Sequence, residues 1–462
     1  MSGRRSLRPT VSFVPASILV GVLAAVALLV PGRGNALDED FNDPARCAAC
    51  HVKIFEQWEA SVHALAADDP IFRRFYEMVV EEAGPSAVEF CMKCHSPVGV
   101  FRKQVPPATG EKLDPIAKKG VFCDFCHTVT PTGIGNASFD TTFSTVKRGP
   151  FDNAVSPAHL TRTDDKYGRS EFCGMCHNVT HPISGRPIER TYDEWRESPY
   201  NTGDPATTTT CQDCHMRQYP GNPATGAVER KDNPGKAATM GPDRPHIWTH
   251  SFVGGNALFP GRPGADRRRG MVEERLRNAA RVEIDLEEPP AEGLVAFRVR
   301  VFNTGAGHKL PTGLSEVREM WLDVKVTDAE GKELLRSGAI GESGGIDPTA
   351  AIFKTFLGIG KSSVNISCCF FAISEGRKLL SAERITRDRR ILPKGYEEEK
   401  YALPVPPGTA WPLTIDAALN YRSMSRAFAN IFFPDGSVEV PVVRMAEIRR
   451  RVPAGRKKAP GE

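Results

Sequence analysis

The spacing of hydrophobic and polar residues changes partway along the chain. After about residue 280, apolar and polar residues alternate in four stretches, 282–286, 295–301, 322–326 and 413–421. Half-buried antiparallel strands have this period of two, because successive side chains point to opposite faces of a sheet. Turn signals separate the stretches. The pattern therefore predicts an all-β, sandwich-like C-terminal domain over residues 266–448.

The part of the chain before this change has a helical period in short segments only. We predict helices over Val52–Ala67 and Pro70–Glu82, a short helical turn at 193–197, and a helix over 266–280. Prolines, glycines and threonines separate these segments, and residues 217–245 have the composition of a long loop. Such a region has few apolar side chains with which to build its own core.

Five copies of Cys-x-x-Cys-His lie in this helical part. The spacing attaches c-type haem, because the two thiols form thioethers with the porphyrin and the histidine becomes the proximal iron ligand. The sequence therefore predicts five covalent c-type haems, with iron bound by each motif's histidine. The motifs are Cys47-Cys50-His51, Cys91-Cys94-His95, Cys123-Cys126-His127, Cys173-Cys176-His177 and Cys211-Cys214-His215.

Zinc ribbons and disulfides also use paired cysteines. Neither requires a histidine directly after each pair, and histidine fills 11 of 462 positions in this chain. Five histidines at these five positions therefore favour haem. Each porphyrin supplies a large flat apolar surface, so we predict a pentahaem domain over residues 37–265. Its short α-helices and loops would wrap around the haems and precede the all-β domain.

The N-terminus, residues 1–36, has the organisation of a secretory signal peptide. Basic residues precede an apolar run at 16–30, and Gly34-Asn35-Ala36 is a plausible cleavage site. The run is short for a membrane span, but an uncleaved anchor, with membrane association, is the alternative. Haem is attached outside the cytoplasm, so we expect a periplasmic or extracellular protein.

The net charge of +4 changes once the termini and haems are considered. Four arginines lie in segment 1–36, which contains no acidic residue, so the mature chain is near neutral. Haem propionates would make it acidic, which argues against a nucleic-acid partner. The basic tail at 449–462 is predicted to be disordered. Cys368 and Cys369 lie outside the motifs, and a free pair and a vicinal bridge both remain open.

Function depends on the second axial ligand of each iron, because an iron with two protein ligands relays electrons and an open one binds small molecules. The histidines outside the motifs are therefore candidates. We predict distal ligation by His63, His159, His250 and His308, with His246 as a further candidate and Met240 as an alternative. His181 follows His177 closely and is expected to have a structural or propionate-bonding role.

His308 is the most informative of these candidates. It lies in a glycine-containing loop, 303–313, between two predicted strands. Gly305 and Gly307 would let the backbone approach a flat ring closely. We therefore expect the β-domain to insert this loop and cap one haem. Arg267–Arg269 lie at the start of the predicted helix 266–280. We expect them to face solvent; binding to haem propionates is the alternative.

The first motif, running into Trp58 and His63, resembles the start of multihaem cytochromes c of the superfamily of the tetrahaem carrier and hydroxylamine oxidoreductase. Segments 191–195, 250–256 and 307–313 are similar to the same group. The resemblance implies closely packed haems, mostly with two histidine ligands. It supports the proximal histidines and distal roles for His63, His159, His250 and His308. The chain differs from the tetrahaem carrier in its fifth motif and its β-domain.

The sequence thus predicts an exported cytochrome that relays electrons between a donor protein and an acceptor protein. No catalytic residue is assigned, and electron transfer is favoured over enzyme activity. One alternative is a reductase or oxidoreductase of a small nitrogen or sulfur compound at one open haem. Another is a conductive surface or filament subunit, which would be oligomeric.

Overall fold

A computed structural model describes residues 40–454 except 84, 108, 183, 217–231, 259–264, 288–292 and 359–383. The predicted signal peptide, Cys368 and Cys369 lie outside the described residues. The described residues from Asn42 onward form one compact unit. Short helices and loops come first and most long β-strands follow, as the sequence predicts.

The first half of this unit contains short helices joined by turns and small two-stranded sheets. The helices are α1 Pro44–Ala48, α2 Val52–Glu59, α3 Pro70–Ala83, α4 Pro85–His95, α5 Pro97–Phe101, α6 Cys123–Cys126, α7 Ser170–Gly174, α8 Thr191–Arg196 and α9 Cys211–His215. The strands pair as β1 Thr130–Pro131 with β2 Phe139–Asp140, β3 Val146–Gly149 with β4 Leu160–Thr163, β5 Val179–Thr180 with β6 Pro187–Glu189, and β7 Gly235–Lys236 with β8 Asp243–Arg244.

The helix predicted over Val52–Ala67 is too long. Helix α2 ends at Glu59, and the chain continues in turns that bring it against residue 121. Trp58 Nε1 donates to the carbonyl oxygen of Val121 at 2.8 Å, and Val121 N donates to that of His63 at 2.9 Å. These contacts with a distant segment replace the helical hydrogen bonds. Helix α3 agrees with its prediction, and Asp69 caps it by accepting from Phe72 N.

The second half begins with helix α10 Ala265–Arg277, close to its predicted range, and consists mainly of antiparallel strands. The strands are β9 Ala280–Leu286, β10 Leu294–Asn303, β11 Glu319–Thr327, β12 Glu333–Ser337, β13 Ile352–Phe353, β14 Thr355–Gly358, β15 Arg384–Asp388, β16 Tyr396–Pro404, β17 Leu413–Arg422 and β18 Val443–Val452. Helix α11 Arg426–Phe432 lies between the last two strands. One sheet has the order β16-β10-β9, and the other has the order β12-β11-β17-β18 with β13 beside β11.

The two larger sheets share one hydrophobic core. Side chains such as Val299, Leu322 and Ile415 alternate inward along their strands and are fully buried. Val253 from the first half and Val272 from α10 belong to the same core. A second cluster packs α11 against apolar residues of α3. The change of hydrophobic period near residue 280 is therefore a change of secondary structure, and residues on both sides of it contribute to this core.

Two sequence predictions about basic residues are wrong. Arg449–Val452 is not part of a disordered tail, because β18 pairs with β17 as far as Val452 and Arg449 bonds Asp416 across the pair. The arginines of α10 do not all face solvent either. Arg268 is 3% exposed and donates to the carbonyl oxygens of Ala60 and Ser251. It lies on the helix face that also carries buried Val272.

No helix in the described part of the chain is both long and apolar enough to cross a membrane.

Replacing Leu322 with alanine should test the shared core. Leu322 is fully buried and opposite Leu419 of β17, so the change should lower the free energy of unfolding by about 2–5 kcal/mol. Lys325 on the same strand has a side chain that is 40% exposed, so Lys325→Ala is the control and should stay within about 0.5 kcal/mol of the parent. Urea unfolding followed by circular dichroism measures both, and equal losses would contradict this account.

Candidate haem centres

Each motif folds as about one turn of helix. His51 N, His127 N and His177 N donate to the carbonyl oxygens of the first cysteines of their motifs, at 2.8, 2.9 and 3.0 Å. The second motif ends α4, and the fifth forms α9, whose start is capped by Thr210 and Asp213. One turn thus places both thiols and the imidazole of a motif side by side, as haem attachment requires.

Among the described residues, neither disulfide bonds nor zinc binding by the motif cysteines is supported. The ten cysteines in this part of the chain are all free of disulfides. No group of three or more histidine, cysteine, aspartate or glutamate side chains in the described ranges is placed to hold a metal ion. A zinc ribbon requires four such side chains around one centre.

Thiols from different motifs contact one another. Cys47 lies beside Cys123, Cys94 lies beside Cys176, and Cys173 lies beside Cys211. The first motif is therefore adjacent to the third, and the fourth is adjacent to both the second and the fifth. Cys126 of the third motif also interacts electrostatically with Cys173 and Cys176 of the fourth, so the motifs form one cluster in which the fourth is central.

Four of the motif histidines face a second histidine from a distant part of the chain. The ring centres are 6.2–6.5 Å apart in every pair. The rings are inclined by 12–28° in three pairs and by 57° in the fourth. The pairs are His51 with His159, His127 with His250, His215 with His308, and His177 with His63, which has the 57° angle.

This separation fits one metal between two imidazoles. An imidazole nitrogen binds a metal at about 2.0 Å, and the ring centre lies roughly 1.1 Å behind that nitrogen, so two rings across one metal have centres about 6.2 Å apart. Two imidazoles in direct contact would be closer. The residues present therefore fit haem iron at these four pairs, where His63, His159, His250 and His308 supply the second imidazole.

Hydrogen bonds at Nδ1 orient the rings and leave Nε2 available for a metal. Four motif histidines place Nδ1 2.6–2.8 Å from a backbone carbonyl oxygen. These oxygens belong to Ala237 for His51, Ala66 for His95, Arg148 for His127 and Val253 for His215. Among the distal histidines, His159, His250 and His308 lie within 2.9–3.1 Å of carbonyl oxygens.

The fourth motif differs from the others in this respect. His177 Nδ1 lies 3.2 Å from Oε1 of Glu189, at the end of β6. Burial alone would raise the pKa of Glu189, but hydrogen bonds from His177 and Thr191 hold that pKa below its usual range. Glu189 is therefore a carboxylate at neutral pH. Nothing in the sequence around residue 189 signalled this contact.

Burial keeps several of these imidazoles neutral. It lowers the pKa of His63, His215 and His250 to about 3 and that of His95 to about 4. Neighbouring histidines lower the pKa of His63, His215 and His250 further, and Arg268 and Arg275 add to this effect at His63 and His215. The neutral form is the one that binds a metal, so these rings are ready to ligate throughout the physiological range.

His95 has a different neighbourhood. No other histidine ring in the described part of the chain lies opposite it at the spacing of the four pairs. Instead, Phe72 of α3 stacks on its ring, with centres 3.6 Å apart and planes inclined by 1°. Among the described residues, the second motif thus has only its own imidazole, whereas each of the other four motif histidines faces a second one. The sequence did not reveal which motif would be left with a single histidine.

The remaining candidate ligands are placed elsewhere. His246 Nδ1 accepts from Asn233 N at 3.0 Å, and its ring packs edge-on against Trp248. It is the partner in none of the four pairs. Met240 is 79% exposed. His181 accepts from Ser184 N in the turn between β5 and β6, which agrees with the structural role expected for it.

Helix α10 brings a guanidinium group to the fifth motif. Arg275 Nη2 donates to the carbonyl oxygen of Cys214 at 2.7 Å. Its Nε is buried and has no hydrogen-bond partner among the described residues. A carboxylate such as a haem propionate is the natural partner of this group. Arg275 was not singled out from the sequence, although it lies seven residues after Arg268 and therefore near the same helix face.

The loop that carries His308 is held against the first half by polar contacts. Buried Glu194 of α8 accepts from Lys309 N and from Thr312 Oγ1, at 3.2 and 2.7 Å, and pairs with Arg390. Charged bonds of this kind are strong when buried. They position His308 opposite His215.

Replacing His308 with alanine should leave one iron with a single imidazole. We expect one of the low-spin haem signals in the optical and magnetic spectra to become high-spin, with the other low-spin signals unchanged. His246→Ala is the matched control, since His246 belongs to no pair, and its spectrum should equal that of the parent. A low-spin spectrum that His308→Ala leaves intact would contradict the assignment.

Residues 46–128 match the protein family described as cytochrome c554 and c-prime. This segment contains the first three motifs and His63. No curated protein is significantly similar to the chain in sequence.

One solved structure has a similar fold over most of the chain. It is a penta-heme cytochrome c552 from Thermochromatium tepidum, with a TM-score of 0.59 and 20% identity, covering 89% of this chain and 99% of the other. A Northeast Structural Genomics Consortium target, SoR45, aligns at 12% identity over 38% of this chain and 87% of its own, but its TM-score of 0.15 indicates no similarity in fold. The matched family and the similar fold support a multihaem c-type cytochrome that transfers electrons.

Proposed function

We propose that this protein is an exported electron carrier with five covalently attached haems, four held by two histidines and one by His95 alone. The four histidine pairs at 6.2–6.5 Å carry the proposal. The five motifs and the similarity in fold to a penta-heme cytochrome support the number of haems. Each haem supplies one-electron chemistry at its iron.

The residues divide this work between attachment, ligation and orientation. The ten motif cysteines fix the groups, and His51, His95, His127, His177 and His215 are the proximal ligands. His159, His250, His63 and His308 complete four of the centres. His246 is not part of this set. Carbonyl hydrogen bonds at Nδ1 hold the rings in position, so that little rearrangement accompanies a change of charge at the iron.

The contacts between motif thiols support a connected path. The first motif leads to the third, and the fourth connects the second with the fifth. Cys126 of the third motif is close enough to Cys173 and Cys176 of the fourth to affect both thiols electrostatically. A donor protein at one end and an acceptor protein at another would thus exchange electrons through the cluster.

A second function is favoured by the surroundings of His95. This imidazole has no histidine opposite it among the described residues, and Phe72 packs against its ring. An iron held by one imidazole has a position open to a small molecule. Reduction of a small nitrogen or sulfur compound at the second motif is therefore the candidate activity, with the other four centres as its electron supply.

Export rests on the chemistry of haem attachment and on the N-terminal sequence. Thioether formation takes place outside the cytoplasm, and residues 1–36 combine basic, apolar and small-residue segments. A periplasmic or extracellular location follows, with an uncleaved membrane anchor as the alternative. Fractionation of cells that produce the protein would separate these two locations.

Carbon monoxide binding to the reduced protein tests the proposal. One of the five haems should bind the gas, because only the iron at His95 is proposed to lack a second ligand. Absorbance titration against the total haem, counted after denaturation in pyridine, measures the fraction. Binding by none would leave a pure relay, and binding by two or more would contradict the four pairs. The parallel titration of His308→Ala should add one binding haem.

A further inference from the structure

The carboxylate on His177 distinguishes the fourth motif from the others. The other four motif histidines meet a neutral backbone carbonyl at Nδ1. His177 Nδ1 lies 3.2 Å from Glu189 Oε1, the longest of the five contacts, but this acceptor belongs to a side-chain carboxyl group and not to a neutral peptide carbonyl. A hydrogen bond from a ligating imidazole to a carboxylate makes the imidazole more basic toward its metal. A more basic ligand stabilises the ferric state over the ferrous state.

The position of Glu189 is fixed from two sides. Thr191 Oγ1 donates to the same carboxylate oxygen at 3.1 Å, and Glu189 is 21% exposed. Thr191 Oγ1 lies 2.8 Å from Thr312 Oγ1 in the loop that carries His308. Glu189 is thus bonded by His177 and Thr191, and Thr191 in turn contacts the loop that carries His308.

We propose that Glu189 is a tuning residue that gives the haem bound by His177 and His63 the lowest reduction potential of the four bis-histidine haems. This inference rests on the proposed function, since it requires haem iron between these two histidines. Its substance is the effect of one side chain outside the motifs. The other three pairs act as internal references, because their proximal rings bond to neutral oxygens.

The fourth motif lies between the second and the fifth, so the reduction potential of its haem would affect electron transfer to both. Its cysteines contact those of the second and fifth motifs. An electron on its iron would be held less strongly than on the neighbouring bis-histidine irons. The centre next to the single histidine His95 would therefore be the readiest electron donor of the four pairs. One electron lost by the ferrous iron at His177 would reduce a ferric iron at His95.

The ring geometry of this pair provides a spectroscopic label. The ring planes of His63 and His177 are inclined to each other by 57°, whereas those of the other three pairs are inclined by 12–28°. Ferric low-spin haems with strongly twisted axial rings have a larger principal g value than haems with nearly parallel rings. The electron paramagnetic resonance signal of the fourth centre should therefore be resolved, and its loss on reduction can be followed against applied potential.

Glu189→Gln is the decisive variant. The amide oxygen keeps a hydrogen-bond acceptor at the same position but removes the charge, so His177 becomes equivalent to the other four motif histidines. We expect the potential of the large-g signal to rise toward those of the other low-spin signals. A smaller rise is expected at the haem of His95, which also feels the charge of Glu189. The remaining potentials should stay unchanged.

Glu171→Gln is the matched control. Glu171 is an exposed carboxylate two residues before the fourth motif, and it accepts from Tyr192 Oη rather than from a histidine. Its removal changes the charge near the same haem without touching the ligand, so it should shift the large-g potential less than Glu189→Gln does. Equal shifts from both variants, or no shift from Glu189→Gln while the large-g signal persists, would overturn the proposal.

The two proposals fail in different ways. Absence of carbon monoxide binding would remove the open centre at His95 but leave the potential measured at the large-g signal intact. Absence of any large-g low-spin signal in the parent protein would contradict the pairing of His63 with His177. That result would overturn this inference together with one part of the proposed function. An unchanged potential in Glu189→Gln would leave the four pairs and the open centre untouched.

Discussion

The pairing of imidazole rings at one separation is the interaction on which this structure depends. Each of four motif histidines lies 6.2–6.5 Å from a second histidine, measured between ring centres, and that partner comes from another part of the chain. Helix α2 ends at Glu59, and the turns that follow it bring His63 opposite His177. The β-strand half contributes to the same pattern, because its loop places His308 opposite His215. The loop after β10 must reach the fifth motif, and α10 and α11 pack against the first half to hold it there.

The sequence predicted the local parts of this arrangement well. Cys-x-x-Cys-His is read directly, because one helical turn satisfies it. Alternation identified β9, β10, β11 and β17, because a half-buried strand imposes it. His63, His159, His250 and His308, which the sequence predicts as distal ligands, are the residues that lie opposite a motif histidine. Which motif each one meets was not predictable, because the pairing depends on how distant segments pack. For the same reason the single histidine of the second motif was not foreseen.

The wrong predictions share a physical cause, since each treated a local property as decisive where a tertiary contact competes with it. Val52–Ala67 has a helical pattern, but hydrogen bonds to residue 121 end the helix early. Arg449–Val452 is basic, yet it completes a strand because β17 offers an open edge and Asp416 an opposite charge. Arg268 was assigned to a solvated face, but its helix buries that face, and backbone carbonyl oxygens accept hydrogen bonds from its guanidinium group. Glu189 left no trace in the sequence, because a lone glutamate after a short strand is ordinary.

The loop that carries His308 links two properties that are usually measured separately. A metal–ligand bond made only in the folded state is part of the free energy of folding. If His308 binds the ferric iron of the fifth motif more tightly than the ferrous iron, the oxidised protein gains that difference in stability. By the same thermodynamic cycle, anything that loosens the β-strand half raises the potential of that haem. The stability of the two sheets and the reduction potential of a haem at the fifth motif would then be thermodynamically linked.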